Sequence, residues 1–476
     1  MDQRVWGPGM LVLLMGTGVF LTLRTRFLPW RNLGWALKSV LGRDSRAKAG
    51  GAGDGAPFSA LMTTLAATIG TGNIVGVATA LVAGGPGALV WMEISALFGL
   101  SSKCAECLLA VKYRQRDAGG EMRGGPMYTM CAALRWKRLG GALAFLFALF
   151  TVLASLGMGD MAQANSIAGA LADSFSVPAR TTGVAVALLA LVVILGGIRR
   201  IAGVCSVVVP LMAVLYLLAG TAVLLGHLSA LPGAVAEMFR LAFSPAAAAG
   251  GAAGTMTASA LNAARWGIAR GCFSHEAGMG SAPNAAAAAD VSHPVKQGLV
   301  QMLSVFIDTI LICSTTAFML LLSGVPIDAY SEGMNFVQAA VHSQVGPFGP
   351  LFITVSIFLF AFSSLVGNYY YTESNFRFIR DSKTGLLVFR LTCVAAIFIG
   401  AQMSFSMVWD LADVLMGLMA LVNLVAILLL GGKAIRVLRD YQKQRRAGKN
   451  PVYRYDEVGV GSPEIWNEAH AKKWED

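Results

Sequence analysis

Two stretches of the chain combine glycine with polar side chains in surroundings that are otherwise apolar. The first is Thr68-Ile69-Gly70-Thr71-Gly72-Asn73-Ile74, and the second is Gly271-Cys272-Phe273-Ser274-His275-Glu276-Ala277-Gly278-Met279-Gly280-Ser281. Glycine costs about 1 kcal/mol relative to alanine inside a helix, so Gly70 with Gly72, and Gly278 with Gly280, weaken a helix where they stand. Freed backbone amides point at anions and freed carbonyls at cations, so the chemistry on offer is binding of a charged solute, as at the substrate site of a secondary transporter, without bond making. The motifs of phosphate, dinucleotide or catalytic zinc binding do not occur. His275 and Glu276 also read as an acid and base pair, for proton coupling or for a membrane-embedded enzyme, but no nucleophile or ligand cluster accompanies them.

The surroundings explain why a break would matter. Of 476 residues, 56% are hydrophobic and 13% charged, against averages of about 45–50% and about 25% in soluble domains. The apolar residues gather into uninterrupted runs long enough to cross a hydrocarbon core of about 30 Å as helices. Spans are expected near 8–24, 58–82, 86–111, 140–171, 181–198, 201–227, 252–281, 298–323, 348–372, 386–405 and 408–431. This is an all-α polytopic membrane protein with about 11 transmembrane helices. The net charge of +11 reflects orientation rather than nucleic acid: with the N-terminus outside and the C-terminus inside, 32 of the 37 Lys and Arg residues are cytoplasmic. The run Met10 to Leu23 lacks a signal-peptide cleavage site and is read as a retained helix.

An unwound segment in a membrane is tolerated only where protein or a polar cavity covers it. The two breaks open two groups of five spans, and an odd number per group gives the groups opposite orientation. The expected organisation is an N-terminal helix with an amphipathic segment over 1–57, a first repeat over 58–228, a connection over 229–249, a second repeat over 250–432 and a tail over 433–476. Leu28 to Leu41 reads as a helix lying along the interface, and the tail as a solvated extension, partly helical near Ile435 to Tyr441. Gly72 and Gly76 also fit simple close packing of helices. Gln163 and Asn165 are two residues apart and cannot share a helix face, so one interhelical bond and one substrate contact are both open to them. Ser363 and Ser364 supply adjacent neutral oxygens of the kind Na⁺ accepts. Asp308, Glu93, Glu106 and Glu373 are expected to be structurally paired. The seven cysteines, Cys104 and Cys107 included, read as buried packing residues, and the alanine-rich stretches 245–253 and 285–289 as packing surfaces.

At these residues, and at Gly84-Gly85-Pro86-Gly87-Ala88, Gly124-Gly125-Pro126-Met127-Tyr128 and Gln163-Ala164-Asn165-Ser166-Ile167, the chain resembles the alanine/glycine:cation symporters over about 58–431. The resemblance implies a leucine-transporter-type 5+5 inverted repeat preceded by one extra helix, in the cell membrane of a prokaryote. It implies Na⁺-driven uptake of small neutral amino acids such as alanine and glycine, with Na⁺ as coupling ion and no covalent cofactor. For the substrate it points to Ile69, Gly70, Thr71, Gly72 and Asn73, to Gln163, and to Phe273, Ser274, Gly278 and Met279. The amides near Thr71 would hold the carboxylate, the carbonyls near Phe273 the ammonium, and Ile69, Phe273 and Met279 an apolar pocket. For Na⁺ it points to carbonyls of Ala66, Ile69 and Phe360 and the hydroxyls of Ser363 and Ser364. The chain departs from many members at Asp160, His275 and Asn368; His275 is read as a neutral hydrogen-bonding group. Proton coupling and a preference for glutamine or serine are the alternatives within transport.

Overall fold

In a computed structural model of the chain, residues 5–42, 56–117, 120–243, 260–459, 461–462 and 464–474 are described. The stretch 245–253, residues Arg43, Arg46 and Lys48, and the start of the 252–281 span lie outside them. The described chain is all-helical apart from one small hairpin that pairs Gln115–Arg116 with Met122–Arg123.

Helix α1 (Pro8–Arg24) begins on a proline, whose fixed φ suits a first turn, and ends on a cation that suits the carbonyl end. A short helix α2 (Leu33–Leu41) follows where an amphipathic one was expected. Helices α3 (Pro57–Thr68) and α4 (Val75–Gly84) are two halves of one interrupted span. Next come α5 (Gly87–Lys112), α6 (Lys137–Phe175), α7 (Ala179–Leu195) and α8 (Gly197–Gly226). After α9 (Leu231–Phe243), helix α10 (Ala260–His275) ends abruptly, and a single turn Pro283–Ala286 continues its path. The remainder are α11 (Pro294–Leu321), α12 (Gly333–Val345), α13 (Gly349–Ile379), α14 (Lys383–Gly400) and α15 (Phe405–Arg446).

Seven of the described helices are long and apolar enough to span a membrane. Burial sorts them: 83% of the apolar window of α5 is covered, against 28% for α8 and 22% for α14. Leu188, Leu211, Leu218 and Leu391 stand exposed on the rim helices α7, α8 and α14, as lipid contact allows. Close packing at the centre belongs to α10 against α5, where a Cβ at Gly271 would lie 2.5 Å from Ser95 Oγ. Gly76 meets nothing closer than 3.9 Å, so the close-packing reading does not apply there. Two π-helical stretches, Ser155–Met161 in α6 and Phe306–Cys313 in α11, have no signature in the sequence.

The tail departs from expectation. Helix α15 runs 42 residues from Phe405 to Arg446, well into the expected tail, and beyond it Tyr453 and Trp466 are 0% and 1% exposed. They pack on the basic face of the bundle, the end where α5 finishes at Lys112 and Arg114 follows. Single hydrogen-bonded aromatic anchors create burial without the periodic apolar pattern by which a core segment is read from sequence.

Candidate functional site

The first interruption falls at the glycines. Helix α3 stops at Thr68, Gly70 is extended (φ −140°, ψ −152°), and a 3₁₀ turn over Thr71–Asn73 leads into α4. Asn73 holds this geometry from both sides: its Oδ1 accepts from Gly70 N at 2.8 Å, and its Nδ2 donates to Asp308 Oδ1 at 2.7 Å. Thr71 N donates to Gln163 Oε1 at 3.1 Å. Gln163 in turn donates through Nε2 to Met158 O, 3.0 Å away inside the widened π turn, which fixes which end of its amide faces the break. The Thr71 hydroxyl is buried and finds no partner among the described residues. Asn165 points elsewhere, to the carbonyls of Gly400 and Met403 at 3.0 and 2.8 Å. Gln163 therefore joins the break, and Asn165 is the interhelical tie.

The second interruption begins at His275. Glu276, Gly278 and Gly280 all take left-handed backbone, with φ of 54°, 91° and 82°, which for glycine carries no Cβ penalty. The exposed backbone ends meet opposite charges from one helix. Lys103 Nζ donates to His275 O at 3.0 Å, at the carbonyl end of α10. Glu106, three residues on, accepts from Gly278 N at 2.6 Å and Gly280 N at 3.1 Å. His275 is neutral in this arrangement: Nδ1 accepts from Ala277 N at 3.0 Å, which leaves Nε2 to donate to Ser95 Oγ at 3.2 Å. Glu276 accepts from the Ser281 hydroxyl, and its other oxygen is buried without a partner among the described residues.

The two interruptions meet. Phe273 lies against Gly72, where a Cβ would be 3.0 Å from its ring. Asp308 ties both, because Ser274 Oγ donates to it at 2.7 Å alongside Asn73, and Thr309 Oγ1 adds a third bond at 2.9 Å. Of the expected substrate residues, Ile69, Gly70, Thr71, Gly72, Asn73, Gln163, Phe273 and Ser274 come together here. Gly278 is drawn away: its amide goes to Glu106, its carbonyl to Asn423 Nδ2 at 2.9 Å, and its open side faces Leu14 and Leu424. Met279 is buried in that same turn.

Beside the first break, the Ser363 hydroxyl lies 3.4 Å from Ile69 O and 3.0 Å from Phe360 O, and Ser364 Oγ lies 2.7 Å from Ala67 O. The carbonyl met by Ser364 is thus Ala67, one residue on from the expected Ala66, which is buried beside Gly367. The set is neutral oxygen throughout, which suits a monovalent cation.

Toward the face opposite the basic one, the Phe273 ring stacks on Trp409 (centroids 4.9 Å, 16°), and Phe405 meets Trp409 tilted by 30° at 5.2 Å. Phe405 lines a cavity of about 330 Å³ together with Ser166, Asp173, Glu332, Asn335 and Met403. Arg270 lies over Phe273 and Trp409 and is paired with Asp413, both buried. Glu373 is paired with Arg377 and Arg390, as expected of a membrane carboxylate. Glu106 and Asp308 instead bind the breaks themselves, and Glu93 accepts from Ser314 Oγ at 2.7 Å.

The sodium:alanine symporter family profile matches residues 1–455, beyond both ends of the 58–431 resemblance. The chain is 43% identical to the sodium/alanine symporter AgcS of Methanococcus maripaludis, over 93% of this chain and 96% of that one. It is 39% identical to the amino-acid carrier protein AlsT of Bacillus subtilis, over 96% and 94% of the two chains. To the probable sodium/glutamine symporter GlnT of the same organism it is 40% identical, over 96% and 92%.

Proposed function

Because the chain belongs to the sodium:alanine symporter family, and is thus a multi-pass membrane carrier of amino acids, we propose that it imports alanine and glycine with Na⁺ by alternating access. The observation that carries this reading is the junction of two broken helices beside a neutral oxygen cluster. The substrate carboxylate binds the amides of the Thr71–Asn73 turn, with the orphan Thr71 hydroxyl and Gln163 closing that end. The ammonium binds the carbonyls near Phe273 and Ser274, and Asp308 fixes both strands of this pocket through Asn73 and Ser274. Na⁺ binds carbonyls at Ala66 or Ala67, Ile69 and Phe360 with the hydroxyls of Ser363 and Ser364. Ile69 thereby belongs to both sites, which couples them.

The reading includes eleven spans, with repeats over 58–228 and 250–432 in opposite orientation and the N-terminus outside. The basic face is then cytoplasmic, and the Phe405, Trp409 and Phe273 stack closes the outer path. The close approach of Phe273 to Gly72 favours a small side chain over glutamine. His275 is committed to Ala277 and Ser95, which favours Na⁺ over proton coupling. One Na⁺ crossing 100 mV releases about 2.3 kcal/mol, enough for about fortyfold accumulation of a zwitterion.

The test is uptake of labelled alanine into proteoliposomes under a Na⁺ gradient, with glycine, serine and glutamine as competitors. Glycine is expected to compete best and glutamine least, with unaltered alanine recovered inside. Uptake of the same size with Na⁺ replaced by K⁺ at constant pH would refute sodium coupling.

A further inference from the structure

We infer that residues 447–459 and 464–474 form a strap that holds the second broken helix closed on the basic face and must release before the site opens to the cytoplasm. This rests on the orientation and alternating access proposed above, and its test reads neither.

The strap starts where α15 overshoots. Its 42 residues span about 63 Å, roughly twice a hydrocarbon core. Gly448 then reverses the chain in left-handed backbone (φ 72°). Gln444 zips the returning segment to the helix, donating to Val452 O and accepting from Val452 N, both at 2.9 Å. The return runs along the segment that joins the broken helix to α11. Tyr453 N donates to Ser292 O at 2.9 Å, Ser292 Oγ to Pro451 O at 2.9 Å, and Lys296 Nζ to Asn450 Oδ1 at 2.7 Å.

Two buried rings then bridge to the end of α5. Lys112 Nζ lies over the face of Tyr453 at 4.8 Å, and the Arg114 guanidinium over Trp466 at 5.1 Å. Trp466 Nε1 also donates to Lys112 O at 2.9 Å. Arg114 is shared: the same side chain donates to Ala287 O at 3.2 Å and Ala289 O at 2.5 Å, at the end of the broken helix. Lys473 closes the loop with an ion pair to Asp290 at 2.5 Å.

Two features make this a releasable hold rather than permanent core. The contacts lay a third segment, remote in the chain, across the α5 end and residues 287–293, which Arg114 also ties to each other directly. They also set two buried rings, Tyr453 and Trp466, among a cation-on-ring contact, backbone hydrogen bonds and an ion pair, and the polar share of these is replaced by water at lower cost than apolar packing is.

Hydrogen exchange tests the strap on the purified chain without substrate, so its outcome is independent of what is transported. Three chains are compared with wild type: one ending at Ala447, full-length Trp466→Ala, and full-length Lys473→Glu. Amides of 283–293 are expected to exchange about tenfold faster in the truncated chain and in Trp466→Ala, with those of 66–75 unchanged. The Lys473→Glu chain is expected to shift the same way, and adding Asp290→Lys to restore protection. If the truncated chain does not fold, Trp466→Ala decides. Wild-type exchange over 283–293 in every folded variant would overturn the strap.

Discussion

Gly367→Ala puts one methyl group between the two helices that hold the proposed sodium ligands. On α13, a Cβ at position 367 would lie 2.5 Å from Ala67 N, 2.8 Å from Ala67 Cα and 3.0 Å from Ala66 C. All three are backbone atoms, so no rotamer relieves the clash. Ordinary contact begins near 3.4 Å, so α13 and the end of α3 must part by about 0.9 Å. Ser363 and Ser364 sit one turn earlier on α13 and move with it, away from Ile69 O and Ala67 O. A cation's oxygen shell tolerates displacements of about 0.2 Å. Losing one such contact costs about 1.5–3 kcal/mol, by analogy with hydrogen bonds to charged groups, or roughly ten- to 150-fold in the Na⁺ concentration for half-maximal uptake. Overpacking also lowers stability by about 1–3 kcal/mol. The assay is alanine uptake in proteoliposomes across a range of external Na⁺, with a thermal melt of the same preparation. Gly432→Ala is the control, because nothing lies within 4 Å of its Cβ. A folded Gly367→Ala protein with wild-type Na⁺ dependence would refute the assignment of this interface to sodium.

Three further outcomes follow from the same geometry. Glu106→Gln leaves one oxygen for two amides, so either Gly278 N or Gly280 N is orphaned; a stability loss of about 1–3 kcal/mol is expected in thermal melts, and a wild-type melt refutes the carboxylate's role. Trp409→Ala removes the ring stacked on Phe273, and labelling of Cys272 by an impermeant maleimide added outside is expected to rise about tenfold; unaltered labelling refutes the aromatic plug. Acid should loosen the strap. Burial lowers His293 from 6.5 to about 4, with Lys296 and Lys112 acting in the same sense and Asp440 opposing, in a setting that Tyr441 and Tyr453 complete; His470 is likewise lowered by burial and then Arg114 to about 4. The unfolded segment binds more protons below 6.5, so the stabilisation is full above pH 6.5 and lost as pH falls toward 4. Exchange of 450–474, corrected for intrinsic rates, is expected to be faster at pH 5 than at pH 7, and equal rates would contradict it.

Both breaks were legible because glycine, amide and hydroxyl within an apolar run have few other uses; α3 ends at Thr68, where that composition begins, and α10 runs into the second stretch as far as His275. The serine pair, read as adjacent hydroxyls, lies beside the first break. The sequence showed that Gln163 and Asn165 diverge, but the π turn that aims Gln163 at Thr71 depends on packing against α13 and α14. Glu106 resembled an ordinary membrane charge because its partners are the backbone amides of Gly278 and Gly280, and Asp308 because two of its partners, Asn73 and Ser274, lie far from it in the chain. The tail looked solvated because Tyr453 and Trp466 are isolated in sequence, and what buries them lies on α5 and the 287–293 segment.

Helix α15 runs unbroken from Trp409 on the aromatic stack, past Asn423 on the Gly278 carbonyl, to Gln444 at the strap. At 1.5 Å per residue, Asn423 lies about 21 Å from Trp409 and about 26 Å from Asp440. A stiff rod held at such a fulcrum is a lever. A tilt of about 10° displaces its two ends by about 4 Å in opposite directions. In the alternating access proposed above, lifting one end from its seat would press the other home, so a single rigid element would make the two exits mutually exclusive without any signal passing through the pocket between them.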